Sequence, residues 1–155
     1  AQSRRYGQFY KTGADLMGFS VSSKIKLNLP VINKLNAAQQ AALHDTTDAL
    51  LTQIKNTEVM PFDSGNLQNE STFADYTNLA NGKTKIVSST PYARRLYFHP
   101  EYNFHRTPWV DKDGKKHGAN KKAGGKWLAP WLEGGAKQNF CHKAFARFYK
   151  REAGL

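Results

Sequence analysis

Two stretches of this chain carry a sustained helical period, and a long middle that lacks one separates them. In the first, Leu43, Leu50 and Ile54 recur at i, i+7 and i+11, flanked by Ala42, Ala49 and Leu51. That pattern predicts an amphipathic helix of about five turns whose apolar stripe must lie on a sheet or another helix. Asn36 followed by Gln39 reads as a capping-box start, because the Asn side chain can accept from an early helix amide while Gln reaches back. Pro61 and the Asp63-Ser64-Gly65 turn are expected to end it. In the second stretch, from about Lys137 to Glu152, Phe140, Ala144 and Phe148 recur every four residues beside Cys141, Phe145 and Tyr149. Lys143, Arg147 and Lys150 take the opposite face.

Period two marks the strands. Phe19, Val21, Ile25, Leu27 and Leu29 alternate with Ser, Lys and Asn, apart from a slip at Ser22–Ser23, and predict a half-buried strand ending before Pro30. Asn81-Gly82 is a turn signal ahead of a second strand over Lys83–Ser89. Ser64, Leu67, Gln68 and Glu70 predict a short helical turn before Phe73 and Tyr76. Pro91–Phe98 fits a strand or one to two helical turns equally. His99–Lys126, punctuated by Pro100, Pro108, Asp113-Gly114 and Gly124-Gly125, reads as loop. A structureless loop of that length is uncommon in a small domain unless it functions or orders in an assembly. No internal repeat is visible, which argues against a solenoid.

At 155 residues the chain is expected to form one domain, residues 17–155, preceded by a basic, aromatic extension over residues 1–16. MGFSVSSKIKLNL reads like a natural start, which makes Met17 a plausible initiator. No apolar run approaches the roughly 18–20 residues that span a bilayer, and the first residues lack a signal-peptide core. The sequence is therefore read as that of a soluble protein made inside the cell, with no membrane partner. Cys141 is the only cysteine, so stability is expected from packing or subunit contacts rather than an intrachain disulfide.

The formal charge is +11, and it is unevenly spread. Residues 111–126 hold six lysines (Lys112, Lys115, Lys116, Lys121, Lys122 and Lys126) against Asp111 and Asp113, a net +4. Lys137, Lys143, Arg147, Lys150 and Arg151 against Glu152 give the terminal segment +4 as well. Such clusters are solvated faces or contacts for a polyanion or an acidic protein surface.

Catalytic and metal patterns are absent from the sequence. His99, His105, His117, Cys141 and His142 match neither paired CxxC knuckles nor HxxxH on a helix, and the histidines read as ordinary polar loop residues. Cys141, on the apolar helix face, reads as a small buried side chain. Ser64-Gly65 lacks the GxSxG elbow and an assignable base. Asp45, Asp48, Asp63, Glu70, Asp75 and Glu101 are too scattered to hold magnesium for a nuclease. No enzyme activity, cofactor or metal is expected; a zinc-dependent nuclease is the weakest alternative.

The aromatic residues are more telling. Trp131, Phe140 and Phe148 are assigned to the core. Tyr92, Tyr97, Phe98, Tyr102, Phe104 and Trp109, interleaved with Arg94 and Arg95 among Pro and Gly, have the composition of protein-interface anchors. The same mixture stacks single-stranded nucleic acid, although no RNP motif, zinc finger or helix-turn-helix accompanies it.

Three segments carry a resemblance: DSGNLQNESTF at Asp63–Phe73, IVSSTPYARRLYFHPEYNFHRTP at Ile86–Pro108 and GGKWLAPWLEGGAKQNFCHKAFARFYKRE at Gly124–Glu152. Together they resemble the minor capsid proteins of tailed phages and prophages of Gram-positive bacteria, over most of Gly18 to Leu155. PYARRLYFHP with the later GGKWLAPWL is the specific part. The order long helix, SGNL, strand, Pro-Tyr-Ala, terminal helix is more distantly similar to tail-completion or neck proteins of long-tailed phages. Those relatives follow Tyr-Ala with a Glu-x-Gly-Thr turn, where this chain has Phe98-His99-Pro100 and the basic insert.

The resemblance implies an α+β fold, a small antiparallel sheet packed by a long helix and a C-terminal helix with long loops. It implies a structural virion protein of the head-to-tail connection, assembled in the bacterial cytoplasm as a six- or twelve-fold ring. The implied neighbours are a portal, adaptor or stopper on one side and a tail terminator or tail tube on the other. A cyclic ring joins two different patches of each subunit. Tyr92, Arg94, Arg95, Tyr97, His99, Tyr102, Phe104 and Trp109 are the expected subunit contacts. Lys115, Lys116, Lys121, Lys122 and Lys126 are the expected contacts to DNA or an acidic neighbour, with the long loop ordering on assembly. The alternative is a basic nucleic-acid-binding protein that uses the lysine-rich loop and aromatic stacking.

Overall fold

A computed structural model describes residues 37–154. The extension over 1–16, the alternating segment at 19–29 and the Asn36 cap lie outside the described residues. Among the described residues the α-helices and strands run α1 Ala37–Asn56, β1 Thr72–Asp75, β2 Lys85–Ser88, α2 Ala93–Phe98, β3 Trp109–Val110, β4 Lys116–His117 and α3 Phe140–Ala153, with short helical turns at Asn66–Glu70, Leu79–Asn81 and Ala129–Trp131. The architecture is α+β, with α1 and α3 packed on each other and two separate two-stranded antiparallel ladders.

α1 buries Ala42, Leu43, Thr46, Thr47, Leu50 and Ile54 along one stripe. The two threonines complete a stripe that its leucines only outline. Each hydroxyl is satisfied before burial, Thr46 by the Ala42 carbonyl at 2.6 Å and Thr47 by that of Leu43 at 2.8 Å. Thr47 also meets the Thr84 hydroxyl at 2.7 Å, so the helix is tied to the approach of β2 by a polar pair inside the core. The helix stops at Asn56, ahead of Pro61, and Glu58 turns the chain at φ 55°. A wide turn over Asn66–Glu70 follows, closed by the Ser71 amide donating to the Asn66 carbonyl at 2.9 Å.

β1 pairs with β2 in the register Thr72↔Ser88, Phe73↔Val87, Ala74↔Ile86 and Asp75↔Lys85. β1 carries no extended alternating run, and periodicity did not reveal it. Its inward hydroxyl, Thr72, is buried by bonding Ser88 at 2.8 Å and the Leu67 carbonyl at 2.7 Å. The 81–82 turn lies where Asn81-Gly82 placed it, with Gly82 at φ 72°. Just beyond β1, Tyr76 stacks on His44 of α1 at 4.2 Å and donates to Asp48. Burial and the neighbouring Asp48 carboxylate push its phenol well above the usual range.

The main core joins Leu50, Ile54 and Met60 to Ile86, Tyr97, Trp127, Leu128 and Trp131. Trp127 meets Tyr97 edge-on at 4.8 Å. A second cluster, Ala42, Leu43 and Phe145 with Phe148 and Tyr149 at its margin, seals α1 against α3. Trp131 is core as expected, and Phe140 and Phe148 pack at the edges of these clusters. α3 ends on Gly154 at φ 69°, with Lys150 and Arg151 in the last turn where the helix dipole favours cations. Gly135 lets the 129–135 turn fold back on itself: a Cβ there would sit 2.2 Å from the Ala129 carbonyl oxygen. Among the described residues no helix is long and apolar enough to cross a membrane.

Candidate functional site

The stretch 99–126 is not structureless. Asp111 organises its tip: one carboxylate oxygen accepts from the Asp113 and Lys115 amides, both at 2.9 Å, and Gly114 at φ 79° completes the turn. The result is the short β3–β4 hairpin, in the register Trp109↔His117 and Val110↔Lys116. Past the hairpin the chain zips onto the segment after α1. Gly118 donates to the Asp63 carbonyl at 3.1 Å, Lys122 to Glu58 at 3.2 Å and Gly124 to Val59 at 3.2 Å. Buried Asn120 bonds the Met60 carbonyl at 2.9 Å. The expectation that this loop orders only on assembly is corrected: its backbone partners are within its own chain.

This docking creates a groove of about 290 Å³ between two segments that the sequence keeps far apart. One wall is Pro61–Leu67, and the other is built by Tyr92, Leu96, Asn103, Phe104, His105 and Trp109. Gly65, at φ 88°, is required here, since a Cβ would fall 3.0 Å from the Phe62 ring. The lining is mostly aromatic and aliphatic, with amide groups from Asn66 and Asn103.

Three ring stacks rigidify the wall. Trp109 lies between His105 at 4.3 Å and His117 at 4.2 Å, all near parallel. His99 stacks on Tyr102 at 4.8 Å and bonds Glu101 at 2.6 Å, a bond that pulls the Glu101 carboxyl below its usual range. Arg95 donates to the Tyr102 hydroxyl at 3.0 Å, and Tyr102 leans on Phe104 at 6.4 Å.

Three of the eight sequence-predicted contact residues, Tyr92, Phe104 and Trp109, line this groove. Tyr92 is 45% exposed and Phe104 and Trp109 are half-buried; outside the lining, Arg94 and Arg95 are exposed and His99 and Tyr102 half-buried. Tyr97 is the correction. It is 7% exposed within the main core, because α2 turns its ring inward while its neighbours face out. Lys115, Lys116, Lys121, Lys122 and Lys126 are all exposed, and among the described residues none makes an ion pair. Sequence reasoning missed Phe62, Asp63 and Asn66, whose place opposite Phe104 depends on tertiary docking. It also missed Val110, at 58% exposed, and undervalued Phe98, at 53%.

His117 is not an ordinary loop histidine. Its side chain is 10% exposed, Nδ1 bonds Asp63, and Nε2 lies 2.9 Å from Asp111. The hydrogen bond it donates to Asp111 and then that to Asp63 raise its pKa, against the pull of partial desolvation. Cys141 is buried on α3, and desolvation pushes its thiol up to about 11, far from a reactive thiolate. Among the described residues no three His, Cys, Asp or Glu side chains converge to hold a metal ion. Comparisons with family models, with curated proteins and with solved structures find no match to this chain.

Proposed function

We propose that this chain is a structural component of a phage particle's head-to-tail connection, a minor capsid or neck protein that assembles with its own copies as a closed ring. The observation that supports the reading is convergence. The segments that carry the resemblance, Asp63–Phe73 and Ile86–Pro108, supply most of the two walls of one groove, completed by Pro61, Phe62 and Trp109, and the third segment, Gly124–Glu152, packs against the same core through Trp127 and Trp131. An aromatic groove suits the anchoring of a neighbouring subunit, since aromatic side chains bury much area for few frozen rotamers. The basic hairpin beside it would meet an acidic neighbouring ring or DNA. Sedimentation of the full chain tests this. A discrete closed oligomer that joins connector particles is expected, and a monomer at all concentrations that fails to join them contradicts it.

A second reading rests on the exposed lysines, none of which pairs with a carboxylate among the described residues. With the exposed Tyr92 ring they would hold single-stranded nucleic acid by charge and stacking. That reading requires affinity to fall steeply with salt as phosphates exchange their counterions for lysines. Salt-insensitive or absent binding excludes it.

A further inference from the structure

His117 fastens the basic hairpin to the groove, and its two ring nitrogens face carboxylates on different segments. Nδ1 meets Asp63 Oδ1, on the wall that follows α1, and Nε2 lies 2.9 Å from Asp111 Oδ2, in the hairpin turn. An ionised carboxylate offers only acceptors, so a ring bonded to both must donate from both nitrogens. Only the protonated imidazolium carries two N–H groups. A neutral ring keeps one of the bonds and sets a lone pair against oxygen lone pairs at the other.

The surroundings hold the ring in this role. Trp109 covers one face at 4.2 Å, and the neighbouring Gly118 amide donates to the Asp63 carbonyl at 3.1 Å. The titratable or charged groups on the elements packed around it are Asp63 after α1, Asp111, Lys112, Asp113 and Lys115 in the hairpin turn, Lys116 on its return strand, and His105 across Trp109. Asp63 and Asp111 touch the ring directly.

We propose that His117 is a proton-operated clamp: charged, it locks the β3–β4 hairpin onto Asp63 and fixes the shape of the groove; neutral, it lets go of one wall and frees the lysine-bearing hairpin. Asp63 and Trp109 both line the groove, so the clamp acts on the surface itself. The clamp is independent of the neck reading and applies to whatever occupies the groove.

The sign follows from the two carboxylates. The His117 pKa is raised above its ordinary 6.5, so its contribution is complete below that value and is lost as pH rises through the folded value. Asp111 is held below its ordinary 3.8, first by the His117 hydrogen bond and then by the Lys115 amide. Its contribution is present above 3.8 and is lost as pH falls through the depressed value. The clamp is therefore complete between the ordinary carboxylate value of 3.8 and the ordinary imidazole value of 6.5, and is lost as pH rises through the raised His117 value.

The test uses the full chain between about pH 5 and pH 9, the range over which a histidine switch acts. The ring proton resonances of His117 are followed by NMR. In parallel, trypsin cleavage after Lys112, Lys115 and Lys116 is scored against a free peptide of residues 107–120, which removes the protease's own pH dependence. His117 is expected to titrate above the ordinary imidazole value, with normalised cleavage rising several-fold across the same midpoint. Asp63→Asn, at an exposed position, is expected to move both midpoints down together. A His117 midpoint at or below the ordinary value overturns the proposal, as does cleavage that stays flat while His117 titrates.

Discussion

The α1–α3 layer and the 99–126 insert solve the same problem in opposite ways. In the helices each backbone group finds its partner a turn away, so order needs only a surface to bury the stripe against. In the insert the amides of Gly118, Lys122, Gly124 and Lys126 reach to Asp63, Glu58, Val59 and Tyr97, so order depends on another segment being in place. One region rests chiefly on apolar contact, with Arg151 of α3 paired to Asp45 of α1 at its edge, and the other on hydrogen bonds, ring stacks and a histidine between two carboxylates. Core contact is insensitive to salt and protons, whereas the insert's bonds are exposed to both. The surface best placed to meet a partner is thus the part whose shape the solution can change.

Substitutions should separate the two regions. Trp127→Ala, in the core at 2% exposure, is expected to cost about 3–5 kcal/mol in chemical denaturation. Trp109→Ala, half-buried between two imidazoles, should cost about 1–2 kcal/mol, the scale of lost ring contacts. Equal losses at the two tryptophans would break the division. Gly135→Ala drives a methyl into the Ala129 and Pro130 carbonyls, and about 3 kcal/mol should be lost, read as a fall in melting temperature.

A smaller effect is expected at the polar pair inside the core. Thr47→Val leaves the buried Thr84 hydroxyl without its partner, at a cost of about 1–3 kcal/mol. The Thr47→Val, Thr84→Val double variant should lose less than the sum of the singles, and strict additivity would show the pair to be uncoupled. Smallest of all, Val110→Ser on the exposed hairpin should change stability by no more than about 0.5 kcal/mol. Its effect should fall on self-association, and a large unfolding shift there would mean the hairpin is part of the core.

The helices were legible because a period of 3.6 writes itself in Leu43, Leu50, Ile54 and the Phe140–Tyr149 face. Thr46 and Thr47 hid within that period: their hydroxyls bond their own helix and bury like small apolar groups. β1 stayed hidden because its buried residue is a threonine paired with a serine, which alternation does not mark. The groove's second wall was readable as aromatic and basic density, yet Tyr97 could not be told from Tyr92 without knowing how α2 turns. Phe62 carried no signal, and Asp63 was legible only as part of the turn after α1. Their role comes from a docking across 54 positions of sequence, between Asp63 and His117. The histidine and both carboxylates were visible as residues, but their meeting was not.

The central claim is that the groove and hairpin face form a contact surface between copies of this chain. Sedimentation of the full chain across a concentration series, with Tyr92→Ala/Trp109→Ala beside it, tests this most directly. The account predicts one discrete oligomer for the unmodified chain and a shift toward monomer for the variant, with the core's circular dichroism unchanged. A monomer at every concentration, or an oligomer that the variant leaves intact, would contradict it.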